Sequence, residues 1–166
     1  MRVAKAIYAI ALGSNRPGRA GRPDATLRAA VAALGEVVAV SPILTSRPLG
    51  PSLRRYANAV ALLASDEAPD ALLVRLKAIE RDFGRRRGRR WGERVLDLDI
   101  VLWSQGSWAS PGLVVPHMAF RDRGFVLAPL AAIAPTWRDP VGGLTIRQLA
   151  ARLARPRPVD RTRPRA

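Results

Sequence analysis

Residues 6–12 form a nearly continuous apolar run that stops at Gly13-Ser14-Asn15. A run of that length bounded by turn residues predicts a buried central strand. A Gly, Pro and Arg loop follows to Pro23, and Asp24 is placed to cap a helix. Its apolar positions include Leu27, Val31 and Leu34, with Gly35 as the stop. Val37 to Thr45 is β-branched and strand-like, with Pro42 marking an edge or a bulge. Tyr56 to Leu63 is another apolar strand. Ser65 or Asp66 opens a second helix with Pro69 in its first turn, and Leu72, Leu73, Leu76, Ile79 and Phe83 carry the 3.6-residue period to Gly84. Val95 to Trp103 returns to strand. Residues 105–111 read as a turn or hairpin, and 113–115 as a short strand. Residues 123–134 predict a helix broken by Pro129, and 145–153 a last helix.

The order strand, helix, strand, strand, helix, strand predicts an α+β fold. It matches the ferredoxin-like βαββαβ antiparallel sheet, with helices covering one face and a C-terminal helical extension. One domain is expected over 1–154. The segment 155–166 alternates Arg and Pro with little apolar content, and is expected to be a disordered tail.

The chain has 166 residues, long enough for one domain with a real core. No apolar run reaches the roughly 18 to 20 residues of a bilayer span. Arg2 and Lys5 precede a short apolar stretch, but that stretch is too short and too close to Met1 for a signal peptide, so a cytoplasmic protein is expected. With no Cys and a single His, thiolate and His-rich metal sites are excluded. Any metal must be held by carboxylates and substrate oxygens, which favours magnesium. The net charge of +15 suggests a polyanionic partner. Only Lys5 and Lys77 are lysines, however, so the bias of a GC-rich genome toward arginine is a competing explanation, and the placement of charge matters more than its sum.

Placement is most informative in Val95-Leu96-Asp97-Leu98-Asp99-Ile100-Val101-Leu102. On a strand, Leu96, Leu98, Ile100 and Leu102 share one apolar face, and Asp97 and Asp99 project together from the other. Their Cα atoms should lie about 6.5 to 7 Å apart, from a rise of about 3.3 Å per residue. Two like charges that close repel unless a cation sits between them. Magnesium, which typically takes one or two carboxylates plus phosphate oxygens, supplies that charge. The alternative pairs each Asp with a nearby Arg on an exposed sheet face.

Just upstream lie Arg85, Arg87, Arg90 and Arg94, with Trp91 among them, on a Gly-punctuated loop. Arginines beside a carboxylate pair suit a polyphosphate held between guanidinium groups and magnesium. A solvated, codon-biased loop is the other reading. His117 follows Pro116 in a loop, and Arg123-Gly124-Phe125 adds a guanidinium and a ring. Tyr56 and Asn58 share a strand face near Ser46, Leu49 and Gly50. A ring plus a carboxamide suits a flat, hydrogen-bonding heterocycle, although a core Tyr and a turn-capping Asn fit equally. Gly-x-x-x-x-Gly-Lys-Ser/Thr, Gly-x-Ser-x-Gly and His-Glu-x-x-His are absent, so Walker-type NTPase, serine hydrolase and zincin readings lose their motifs.

Five ordered motifs resemble the 6-hydroxymethyl-7,8-dihydropterin pyrophosphokinase family of folate biosynthesis. They are Ala11-Leu12-Gly13-Ser14-Asn15, Pro48-Leu49-Gly50-Pro51 with Tyr56-x-Asn58, the run from Arg90 to Val101, Pro116-His117, and Arg123-Gly124-Phe125. The resemblance implies a ferredoxin-like enzyme that transfers pyrophosphate from ATP, the co-substrate, to the hydroxymethyl group of the pterin and releases AMP. It implies two magnesium ions on Asp97 and Asp99. It implies phosphate contacts from Arg85, Arg87, Arg94, His117 and Arg123, with Trp91 in a closing loop and Glu80 and Ile100 near the nucleotide. Arg85, Arg94, Asp97 and Asp99 would carry the catalysis. Tyr56 and Phe125 would sandwich the pterin, with Ser46, Leu49, Asn58 and Asp97 at its polar edge. Glu93 stands where Pro is frequent, Ser46-Arg47 replaces Thr-Pro, and Lys77 occupies a position often held by Gln. The expected partners are the two small-molecule substrates, with no nucleic acid and no membrane, for a monomer. The rivals are an RNA-binding module, for which exposed stacking aromatics are few at 5% aromatic content, and a small regulatory or scaffold domain.

Overall fold

The computed structural model of the chain describes residues 5–46, 55–84 and 94–156. The expected tail from 157 onward, and Leu49, Arg85, Arg87 and Trp91, lie outside them. In chain order the elements are β1 (Ala6–Ser14), α1 (Pro23–Leu34), β2 (Val37–Val40), β3 (Leu44–Ser46), β4 (Tyr56–Ser65), α2 (Pro69–Asp82), β5 (Asp97–Trp103), β6 (Trp108–Ser110), β7 (Leu113–Val115), α3 (Gly124–Ile133) and α4 (Ile146–Ala154). A short 3-10 turn, Phe120–Asp122, precedes α3. The main sheet runs β2-β4-β1-β5, with β3 also on β4, and every pairing is antiparallel. This is the ferredoxin-like order, with the second strand split in two. Ser41 spans the split: its N–H donates to the Val60 carbonyl and its Oγ accepts from the Val60 N–H, both at 2.9 Å.

Both helix starts differ from expectation. Pro23 and Pro69 take the first helical positions, where a missing N–H costs nothing, and Arg22 and Ala68 precede them with no side-chain cap. Asp24 instead accepts from Arg28 one turn on, at 2.9 Å. Among the described helices only α4 has a capping box, between Thr145 and Gln148.

Helices cover both faces of the sheet, where one covered face was expected. On the first face, α1 and α2 pack Leu27, Leu34, Leu72 and Leu76 against Tyr8, Ile10, Leu12, Leu63 and Leu98. On the second, α3, α4 and the 3-10 turn pack Phe120, Leu127, Leu130 and Ile146 against Ala9, Val60, Val101 and Leu102. Each of these large side chains is essentially dry, and burial stabilises by about 1.5 to 3 kcal/mol apiece.

Leu102 is the clearest departure from simple alternation. Ile10 pairs with Ile100 and Ala9 pairs with Leu102, so one extra residue, Val101, is inserted in β5. That bulge resets the phase. Leu96, Leu98 and Ile100 face α1 and α2, whereas Leu102 turns to the second core. Trp103 then returns to the first face, stacked on Tyr8 with ring centroids 6.2 Å apart.

Candidate active site

The second face of the sheet is not uniformly apolar. Its cross-strand rows change character along β1. One row is Leu62–Ala9–Leu102, beneath the helices; the next is Val60–Ala11–Asp99; the last is Asn58–Gly13–Asp97. Two strand spacings of about 4.8 Å put Asn58 and Asp97 about 10 Å apart at the backbone. Between them β1 offers only Ala11 and Gly13. The small floor and polar flanks make a trough, which α3 and the segment before it close from above.

The resulting cavity has a volume of about 300 Å³. Its lining unites nine of the residues singled out by sequence: Ser46, Tyr56, Asn58, Arg94, Asp97, Asp99, His117, Arg123 and Phe125. Phe120 and Val126 add an apolar roof that no motif pointed to; Val126 lies in the apolar run after Gly124, and Phe120 had no signal beyond being an isolated aromatic. Glu80 and Ile100 are not brought there. Ile100 is buried in the first core, on the opposite face of β5. Glu80 is fully buried on α2, where its Oε1 accepts from the Leu98 N–H and from Lys77 Nζ, both at 2.7 Å.

Alternation holds across Asp97, Leu98 and Asp99, so the two carboxylates share the cavity face. Asp97 Oδ1 accepts from Arg94 Nη1 at 2.7 Å, so the arginine-pairing alternative is realised for one acid. Asp99 makes no hydrogen bond or ion pair among the described residues. No group of three or more His, Cys, Asp or Glu side chains suited to a metal occurs among the described residues. Two hard carboxylates, one without a partner, in a cavity with room for phosphate oxygens and water fit magnesium rather than a metal that needs an all-protein cage.

Arg94 is fixed by the turn after β1. Its N–H donates to Asn15 Oδ1 at 2.7 Å, and the Asn15 N–H donates to its carbonyl at 3.1 Å. Asn15 is 3% exposed, so the clamp is shielded from water. Sequence marked it only as a turn residue. On the other side of the cavity, His117 is placed by its N–H bond to the Val101 carbonyl at 3.0 Å. Its Nδ1 accepts from the Ala119 N–H at 3.2 Å, which leaves the ring proton on Nε2. Burial holds the imidazole below its ordinary pKa, with Arg123 acting in the same direction and Asp99 opposing. The ring is therefore a neutral donor at pH 7. The Arg123 guanidinium carbon lies 5.8 Å from the Phe125 ring centroid.

Asn58 donates Nδ2 to Ser46 Oγ at 2.7 Å, and its Oδ1 has no partner among the described residues. Burial pushes the Tyr56 hydroxyl upward, with Asp97 adding to the rise and Arg94 opposing it, so the phenol stays neutral. One cavity thus offers a cationic and carboxylate group suited to phosphates and an aromatic and amide group suited to a flat heterocycle.

Comparison with known proteins is consistent with this division. A family model described as 7,8-dihydro-6-hydroxymethylpterin-pyrophosphokinase (HPPK) matches residues 9–135. The 2-amino-4-hydroxy-6-hydroxymethyldihydropteridine pyrophosphokinase of Pseudomonas aeruginosa is 45% identical over 139 residues, covering 80% of this chain and 83% of its own. The enzyme of the same name from Haemophilus influenzae is 41% identical over 131 residues, covering 75% and 79%. Among solved structures, Plasmodium falciparum HPPK-DHPS matches with a TM-score of 0.69 at 12% identity, a likeness of fold. The match covers 89% of this chain and 44% of that longer one.

Proposed function

The chain belongs to the 7,8-dihydro-6-hydroxymethylpterin-pyrophosphokinase family and is a pyrophosphokinase of folate biosynthesis with ATP as co-substrate, and from that premise we propose how its cavity divides the work. The pterin lies with Tyr56 and Phe125 as ring contacts and Asn58, Ser46 and Asp97 at its polar edge. The triphosphate lies toward Arg94, His117 and Arg123. The hydroxymethyl oxygen bonds to the β-phosphorus, the bond from that phosphorus to the oxygen bridging to the α-phosphate breaks, and AMP leaves. The hydroxyl proton passes to solvent.

The residues work by positioning and charge. Asp97 holds one arm of the Arg94 guanidinium and so fixes the direction of a fork suited to phosphate oxygens. His117 donates Nε2–H without adding a third full charge to those of Arg94 and Arg123. Arg123 stands beside Phe125, so phosphate and ring contacts are set by one short segment. Magnesium, which Asp97 and Asp99 would hold, supplies positive charge against the phosphate oxygens. Two ions, as the family resemblance implies, would share the pair. Arg85, Arg87, Trp91 and Leu49 complete the proposal from sequence alone.

The observation that carries the reading is the meeting of Asp97, Asp99 and Asn58 across the small floor of β1. Its test is AMP release from ATP and reduced hydroxymethylpterin. Release should need magnesium and stop with chelator. Undiminished release in excess chelator refutes the carboxylate assignment, and no release at all refutes the reading.

A further inference from the structure

Glu80 is a fully buried carboxylate on the helix face opposite the solvent, and the cavity does not contain it. Lys77 lies one turn before it on α2. Both reach the same peptide. Glu80 Oε1 accepts from the Leu98 N–H at 2.7 Å, and Lys77 Nζ donates to the Leu98 carbonyl at 3.0 Å. Lys77 Nζ also donates to Glu80 Oε1 at 2.7 Å, closing a ring of three bonds.

The place matters as much as the bonds. Among the described residues β5 is the edge of the main sheet, with β1 on one side only. Residues on an edge have backbone groups that no neighbouring strand holds. Leu98 is such a residue, and it is the one between Asp97 and Asp99. We propose that Glu80 and Lys77 are positioning residues that take the place of a missing neighbour strand, clamping the Leu98 peptide so that the flanking carboxylates keep a fixed spacing and direction. This rests on the proposed role of Asp97 and Asp99. It departs from a nucleotide contact for Glu80, because the carboxylate is turned to the strand. It also explains a lysine at 77: the buried acid needs a cation, and the Leu98 carbonyl needs a donor.

The experiment compares wild type, Glu80→Ala, Glu80→Gln and Lys77→Met as full chains. The first readout is amide hydrogen exchange of the Leu98 N–H, with neither ATP nor metal present. Exchange should be slow in wild type, fast in Glu80→Ala and close to wild type in Glu80→Gln, which keeps an acceptor. The second is AMP release. Glu80→Ala should lose about 10- to 100-fold in kcat while KM for ATP stays within about twofold, because a displaced group costs rate rather than ground-state binding. Glu80→Gln should restore most of the rate. Should Glu80→Ala fail to fold, Lys77→Met carries the same expectation in milder form. Equal exchange in wild type and Glu80→Ala overturns the proposal, as does a raised KM for ATP with kcat unchanged. Wild type that releases no AMP counts against the proposed function instead, and the exchange measurement still decides the clamp.

Discussion

Replacing Asp139 by Asn tests how much one buried charge contributes to the layer over the second sheet face. Asp139 is 1% exposed and accepts from Arg121 Nε at 2.6 Å, from Arg121 Nη2 at 2.7 Å and from the Val141 N–H at 3.0 Å. Arg121 belongs to the 3-10 turn and also covers the Phe120 ring, its guanidinium carbon 4.6 Å from the centroid. The pair therefore ties the loop before α4 to the segment that roofs the cavity. Asparagine fills the same volume, so the change is electrostatic: one oxygen facing a guanidinium N–H becomes an amide N–H. Breaking a buried pair costs about 3 to 5 kcal/mol. The Arg121 side chain keeps about a third of its exposure and can rehydrate, which lowers the expected loss to about 2 kcal/mol. For a domain of this size, that is a fall in Tm of about 4 to 8 °C.

The pH dependence has a definite sign. Burial alone would raise the Asp139 carboxyl, but the Arg121 hydrogen bonds and the Val141 N–H outweigh it and hold the group below the ordinary carboxylate range. A group lowered on folding contributes stability that is full above its unfolded pKa, about 3.9, and is lost as pH falls through the folded value. Thermal melts of wild type and Asp139→Asn should thus differ most at pH 6 to 8, by about 2 kcal/mol, and converge on acidification below about pH 4. Equal Tm values at neutral pH, or a gap that widens in acid, refute the account.

Two further outcomes follow from the cavity. Asp97→Ala or Asp99→Ala should abolish AMP release with the melting curve retained; near-normal release by either contradicts the carboxylate assignment. Gly13→Val should fold yet raise KM for the pterin. A Cβ at 13 would sit 3.5 Å from Asn58 Oδ1 and 3.7 Å from Tyr56 Cδ1, ordinary contacts, while the added methyls enter the trough. An unchanged KM would mean that the heterocycle does not lie over this part of β1.

The strand order and the acid pair were readable from sequence because the chain alternates cleanly from Leu96 to Ile100, and a two-residue period leaves a visible trace. The reversal at Leu102 was not, since a bulge keeps the residue types apolar and changes only their direction. The second helical layer was missed for a related reason. Residues 124–133 are apolar nearly all round, so no stripe says which surface they cover. The duties of Asn15 and Glu80 escaped entirely. Their partners are the peptide groups of Arg94 and Leu98, and every residue has a peptide group, so no side-chain pattern records the choice. The start of each early helix was misplaced by a residue or more because proline substitutes for a cap.

The inserted Val101 divides one strand between two masters. Upstream of it, odd-numbered positions serve chemistry; downstream, the parity is exchanged and the same odd numbers serve the aromatic pair of Tyr8 and Trp103. The extra residue is therefore the slack of the strand. Deleting Val101 would restore plain alternation with both acids and the indole on their present faces, whereas deleting a second residue before 103 must swing the indole toward the oily layer under α3 or carry both acids into the one under α2.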